Sequence, residues 1–411
     1  MTKNRLTPVL TAISVFPRLY RRAFKLFGRK AAQLAEPINL KTDLCLAQST
    51  QRDQLYSDMA LPDNLLQAFT SDPLTAGDMR FIGREEQSSR LLTAVELWRA
   101  GRKTMIAVTG PQGCGITSFL QQLPAQVSSP VNWHYSQLTR RPCNTTDTLT
   151  LLSEVVGCDQ LIASVVELVD YINDLPPTVF VIDNGHFLAC RIMGAHEAIR
   201  VFGAVMVATQ QHLWVLGCQE IAWLRMAYIF HVDRYFSEHI TLSLFNDTEL
   251  GLCLSTRLQV SGITLNTGGI TADQQSQPND GLGQQLSTLY RLSNGKPDIS
   301  FFYLLGSLIV HSESRQWDIT PAIGLDFSLL KQLISEELFT LAELASHGHL
   351  TIDDHRSMFR CSREESWLLL EHLYQQCLLV RNDNADEPSY HLLPLYSDVI
   401  SRFLTNANYL Y

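Results

Sequence analysis

The chain has 411 residues, 45% of them hydrophobic, with a mean hydropathy near zero and a net charge of −9. This is ordinary globular composition for two to four domains, and no apolar run reaches the roughly 18 residues that a membrane-spanning helix needs. Nine scattered cysteines without a C-x-x-C predict neither a zinc site nor a disulfide framework, and point to a reducing, cytoplasmic interior.

Charge is uneven along the chain. Residues 1–30 hold Lys3, Arg5, Arg18, Arg21, Arg22, Lys25, Arg29 and Lys30 and no acid, which leaves 24 basic against 41 acidic residues in the rest, a balance of −17. From Val9 to Phe27 apolar residues recur at steps of three and four against a basic face. That pattern predicts a helix lying on an anionic membrane surface, which would place the protein peripherally on the inner face of a membrane. A targeting segment and an arm docking on the acidic body or on nucleic acid are the competing readings. The stretch 34–80 has no sustained period and reads as a connector.

A helix over Ser88–Ala100 and a strand over Met105–Thr109 lead into Gly110-Pro111-Gln112-Gly113-Cys114-Gly115-Ile116-Thr117, followed by Ser118. This fits G-x-x-x-x-G-K-[ST] at every fixed position but one, where Ile116 replaces the lysine. Glycines that turn backbone N–H groups inward, together with the positive end of the following helix, favour an anion without any lysine. Thr117 or Ser118 offers a hydroxyl to magnesium. What is missing is the cation for the β- and γ-phosphates, which matters more to transition-state charge than to seating a diphosphate. The alternative is an ordinary glycine-bearing strand–turn–helix.

A second strand is expected at Val131–Tyr135, then helices over Asp147–Val156 and Asp159–Ile172. Thr178–Asp183 is an apolar, β-branched run ending in a carboxylate, as a central parallel strand would. Asp183 is placed to orient magnesium or its water. Asn184 follows, where a glutamate would activate water, and an amide cannot accept that proton. His186 is either a substitute base or a satisfied turn residue. After a helix over Ala195–Thr209, a strand at Leu213–Gly217 brings Gln219 to its end as a residue able to sense a γ-phosphate. Past a helix over Ala222–Phe230, Arg234 reads either as a finger for a neighbouring subunit or as a surface cation stacked on Tyr235 or Phe236. Asn246 caps a helix over Asp247–Ser261, and Thr264–Gly283 reads as a loop. Helices are expected over Gln284–Leu292 and Ile299–His311.

The last eighty residues outline a winged helix: helices Leu338–His347, Thr351–Phe359 and Arg363–Cys377, strands Leu378–Asn382 and Tyr390–Leu393, and a closing helix Leu395–Leu404. Its third helix carries Glu364, Glu365 and Glu371 against Arg363, a sign that repels phosphates. A protein partner is therefore expected in place of DNA.

In this order, Phe81-Ile-Gly-Arg-Glu85, the loop at Gly110, the strand ending Asp183-Asn184, Arg234-Tyr-Phe236, the Gly295-Lys-Pro297 turn and the winged-helix outline resemble the AAA+ ATPases, in the branch of origin-recognition ATPases, transposition regulators and STAND proteins. The resemblance covers residues 80–411. It implies an α/β fold with a P-loop NTPase parallel sheet of strand order 5-1-4-3-2, a helical lid, and nucleotide held between them and commonly between subunits. The expected layout is a basic segment (1–33), a connector (34–80), a P-loop core (81–245), a lid (246–330) and a winged-helix domain (331–411). By the same likeness Thr117 and Asp183 hold Mg2+, ATP or ADP is the cofactor, Gln219 is a sensor and Arg234 a finger. Three departures stand out: Ile116, Asn184, and Asp298 where the family often keeps an arginine. Since removing one preorganised stabiliser costs ~10²–10³ in rate, the expectation is a degenerate, nucleotide-binding assembly or regulatory protein, a pseudo-ATPase that forms oligomers or meets a partner. The alternatives are an active ATPase powering a partner or a DNA-associated process, in which Lys103 or Lys296 replaces the missing cation, and, by fold analogy alone, a DNA-associated regulator of transposition or replication.

Overall fold

The computed structural model describes residues 61–127, 131–142, 144–189, 191, 196–263, 280–310, 317–319, 327–383 and 387–410. The basic segment 1–30, most of the connector and most of the expected loop 264–283 lie outside the described residues.

Helices α1 (Asp63–Ala68) and α2 (Glu85–Arg99) precede strand β1 (Met105–Gly110), helix α3 (Ile116–Gln126) and strand β2 (Asn132–Gln137). There follow α4 (Thr145–Val155), α5 (Val165–Asp174), β3 (Thr178–Asp183), α6 (His196–Ala208), β4 (Leu213–Gln219), α7 (Glu220–Phe230) and β5 (Glu238–Thr241). The five strands form one parallel sheet in the order β2-β3-β4-β1-β5, read from the other edge as the expected 5-1-4-3-2. Every residue of β1 and β3 is buried, because a parallel sheet is covered on both faces and its strands become continuous apolar runs. Successive side chains still part to opposite sides. Met105 and Ala107 pack with Leu152, Leu168, Phe202 and Met206 from α4 to α6, while Ile106 and Val108 pack with Leu91, Val95, Phe119 and Leu120 from α2 and α3. The α/β P-loop core expected from the sequence is therefore the architecture found.

Beyond the sheet, α8 (Asp247–Ser261) starts at a capping box of Asn246 and Glu249, and α9 (Asp280–Ser293) leads to α10 (Pro297–Ser307). The expected helix to His311 stops short. Leu308–Val310 is strand β6, paired with β7 (Trp317–Ile319), since a short apolar run with β-branched residues does not distinguish helix from strand by periodicity. The chain closes with α11 (Ser335–His347), β8 (His349–Thr351), α12 (Ile352–Phe359), α13 (Arg363–Gln375), β9 (Leu379–Asn382), β10 (Ser389–Leu392) and α14 (Pro394–Asn406), the strands antiparallel in the order β8-β10-β9. Strand β8 was not anticipated. Among the described residues Cys114, Cys158, Cys218, Cys253 and Cys361 are free, while Cys377 is disulfide-bonded, which the scattered spacing does not announce. No helix among the described residues is long and apolar enough to cross a membrane.

Candidate functional site

Sheet register sets the rim of the site. Gly110 at the end of β1 lies opposite Gln219 at the end of β4, and Asp183 closes the neighbouring β3. The turn after β1 needs its glycines for two reasons. Gly113 (φ 85°) and Gly115 (φ 91°) occupy the left-handed region, which is costly for residues with a Cβ. At Gly110 the reason is contact: a Cβ would lie 2.5 Å from Cys114 Sγ and from the Leu242 carbonyl oxygen.

The turn is braced from below. Cys114 N–H donates to Pro111 O at 3.1 Å, and the Cys114 thiol is buried filler whose pKa is pushed up to about 12 by that burial. Arg84, from the Gly-Arg-Glu stretch before α2, donates to Cys114 O at 3.0 Å and Ser243 O at 2.8 Å and stacks on Phe245 at 4.6 Å. Among the described residues nothing accepts from the N–H groups of Gly113, Gly115 and Thr117. With the N-terminus of α3 they make a cradle of donors for an anion.

Around this cradle the side chains divide. Thr117 Oγ1 donates to Asp183 Oδ2 at 2.6 Å, so the metal-side pair expected from the sequence is brought together. Asp183 also accepts from Tyr135 Oη at 3.1 Å and from Asn184 N–H at 2.7 Å. Burial raises its pKa against the pull of those donors. Ser118 is committed elsewhere, its Oγ accepting from Leu74 N–H at 3.0 Å, which leaves Thr117 as the hydroxyl for a metal. Ile116 leans on β4: a Cβ on Gly217 would lie 3.0 Å from Ile116 Cγ2 and 2.6 Å from Leu120 Cδ1. Asn184 sits in the left-handed region at φ 58° and its Nδ2 donates to Leu138 O at 3.2 Å, so the amide ties β3 to the chain after β2.

Pro111 through Ser118, Asp183, Asn184 and Gln219 all line one cavity of about 280 Å³, closed on the other side by Arg84, Phe245, Arg257 and Phe301. That is near the lower end of the ~300–1,000 Å³ of ligand clefts. Arg257, unmarked in the sequence, is 5% exposed, donates to Ala68 O and to Thr70 O, and lies 4.3 Å over Phe301. Arg234 is exposed in the turn before β5, at the end of the sheet opposite the loop, so it cannot serve its own cradle. Lys103 lies at that same far end, beside Thr104 and Glu238, which removes it as a replacement for the loop lysine. Lys296 is near: a Cβ at Gly113 would lie 3.7 Å from Lys296 Cδ and 3.5 Å from Asp298 Oδ1.

The C-terminal elements lie behind two residues of the site, His186 and Gln219. A Cβ on Gly348, between α11 and β8, would lie 3.0 Å from His186 Nε2 and 3.5 Å from Gln219 Nε2. His186 is 3% exposed and burial holds it neutral, well below the ordinary histidine pKa, with Arg141 adding to the effect. Arg141, after β2, pairs with Asp354 at 2.7 Å, donates to the carbonyls of His347 and His349 and lies over Phe187. Glu343 of α11 pairs with Arg191, with Arg225 of α7 at 3.2 Å and with His347 Nε2 at 3.2 Å. Burial raises the Glu343 pKa, yet His347, Arg225 and Arg191 together hold it at about 2.

No protein-family model matches the sequence, and no curated protein matches it. Among solved structures, the Walker-type ATPase PABY2304 of Pyrococcus abyssi is 12% identical over 81% of this chain and 99% of its own, with a TM-score of 0.44. The ORC2 protein of Aeropyrum pernix in ADPNP–ADP complexes is 13% identical over 83% and 96%, with a TM-score of 0.40. Cdc6p from Pyrobaculum aerophilum is 15% identical over 83% and 98%, with a TM-score of 0.39.

Proposed function

We propose that the chain is an AAA+-like protein that binds ATP or ADP as a structural or switching ligand, with hydrolysis weak or absent, and that works by assembling with itself or a partner. One observation carries this reading: the cradle's amides at Gly113, Gly115 and Thr117 are unspent and the Thr117–Asp183 pair is in place, while Ile116 and Asn184 are engaged in packing and bracing. The residues present fit a nucleotide with Mg2+, Gly110–Ser118 holding phosphate and Thr117 with Asp183 holding the ion. No three of His, Cys, Asp and Glu among the described residues gather to hold a metal alone. A magnesium there would need phosphate oxygens to complete its shell. Bound magnesium would neutralise phosphate charge; the chain's own residues seat and orient the nucleotide and exclude water.

The elements from α11 to α14 read as a winged helix whose acidic α13 suits protein contact. Arg234, exposed and far from its own cradle, suits a neighbouring subunit's site. For residues 1–30 we retain the membrane-surface reading, checked by liposome flotation with and without them. The second reading, turnover, finds its support in His186, a neutral base lining the cavity. The deciding experiment measures thermal stabilisation by Mg-ADP and Mg-ATP alongside phosphate release. Binding only the folded state must raise stability, so stabilisation without release supports the proposal. Steady release abolished by Asp183→Ala supports turnover.

A further inference from the structure

Lys296 lies in the turn that enters α10 and is 3% exposed. Its ammonium makes one hydrogen bond among the described residues, to the Ser397 hydroxyl of α14 at 3.2 Å. A buried ammonium held by a single neutral acceptor is poorly compensated for the water it has lost. Burial accordingly lowers its pKa, while the nearby Asp398 and Asp298 act the other way. Asp398 is already engaged, by Arg402 at 2.8 Å and by the Asn294 amide.

The same lysine stem runs past the phosphate loop, its Cδ 3.7 Å from where a Gly113 side chain would begin. It also lines a second cavity of about 350 Å³ that meets the first at Pro111, Gln112 and Gln219 and reaches Asp398 and Arg402 of α14. An under-bonded cation thus stands between an empty-handed cradle of amides and the closing helix of the chain.

Resting on the nucleotide-binding reading above, we infer that Lys296 is a shared cation: it serves the terminal phosphate of a bound nucleotide in place of the side chain missing at Ile116, and in doing so gives up Ser397, so that nucleotide loosens α14. A phosphate oxygen offers the ammonium a charged acceptor, which beats a neutral hydroxyl. With Asp298 on the same side of the loop, Lys296 adds a positive charge to that of Arg257, which lines the cavity from α8. Coupling of this kind is reciprocal: whatever strengthens the hold of α14 on Lys296 weakens nucleotide, and the reverse.

The test is calorimetric titration of Mg-ADP and Mg-ATP into the full chain and its Lys296→Met and Ser397→Ala variants, with amide exchange followed over residues 394–406. Lys296→Met is expected to lose about tenfold or more in affinity, and its exchange over 394–406 no longer responds to nucleotide. Ser397→Ala, which leaves the lysine in place and removes only its competitor, is expected to bind several-fold more tightly, with 394–406 exchanging faster even without nucleotide. If the unaltered chain binds and both variants match it, the inference is wrong and the nucleotide reading stands. If the unaltered chain binds neither nucleotide, both are wrong.

Discussion

The rim of the phosphate loop and the contact between the core and the C-terminal elements lie on either side of Gln219, and they treat charge in opposite ways. At the rim, the loop amides have no acceptor among the described residues, while position 116 is an isoleucine packed on Gly217 and position 184 an amide spent on Leu138. At the contact, Glu343 gathers Arg191, Arg225 and His347, and Arg141 reaches Asp354. Positions 116 and 184 carry no charge where charge would speed chemistry, while ion pairs cluster where two parts of the chain meet. A buried ion pair adds little net stability over apolar packing, but it makes the contact intolerant of losing one partner. On the proposed reading, a nucleotide here governs an arrangement of parts more than a bond cleavage.

That contrast can be broken first at its charged side. Glu343→Ala leaves Arg225 and His347 without their buried anion and is expected to cost about 3–5 kcal/mol, read from denaturant unfolding, with the C-terminal elements more open to protease. A loss below about 1 kcal/mol would show the cluster to be ornamental. Next comes pH. His186, His347 and His355 are buried with folded pKa values below the ordinary one, His355 at about 4. Groups depressed in this way lend stability that is full above about pH 6.5 and is lost as pH falls towards the folded value, at ~1.4 kcal/mol per pH unit for each. Glu343 adds to the loss in the same direction, between about pH 4.5 and 2. Thermal melts should therefore fall steadily on acidification from pH 7 to 5; a flat profile would contradict neutral burial of these rings.

The smallest effect is at the rim and has the opposite sign. Asp183 has a raised pKa from burial, so its carboxylate is less favoured folded than unfolded above pH 4. Asp183→Asn should then raise the Tm slightly, while removing the dependence of nucleotide binding on magnesium. Thr117 and Tyr135 hydroxyls can turn to accept from the new amide. A destabilised variant would mean that the three donors to Asp183 outweigh its burial.

Much of the core was legible because its signals are local. The run Thr178–Asp183 matches its strand to the residue, and the loop at Gly110 announced both its glycines and its missing cation. The capping box at Asn246 was likewise readable as a helix start. The lost pieces depend on partners far along the chain. Ser118 looked free for magnesium until Leu74, 44 residues earlier, was found on its hydroxyl. Arg141 carries no sign of its pairing with Asp354, 213 residues away. Lys103 and Lys296 looked equal as substitutes for the loop lysine, and only the sheet's direction separates them. Strand β6 reads from sequence as the continuation of α10, since Leu308–Val310 satisfies either period.

The central claim is that the cradle binds a phosphate-bearing nucleotide but does not break it. Calorimetric titration of Mg-ATP into the full chain, with phosphate followed in the same solution, tests this most directly. The account predicts saturable binding, weakened by chelating magnesium, with no phosphate released over hours. Sustained release, or no heat of binding at all, would contradict it.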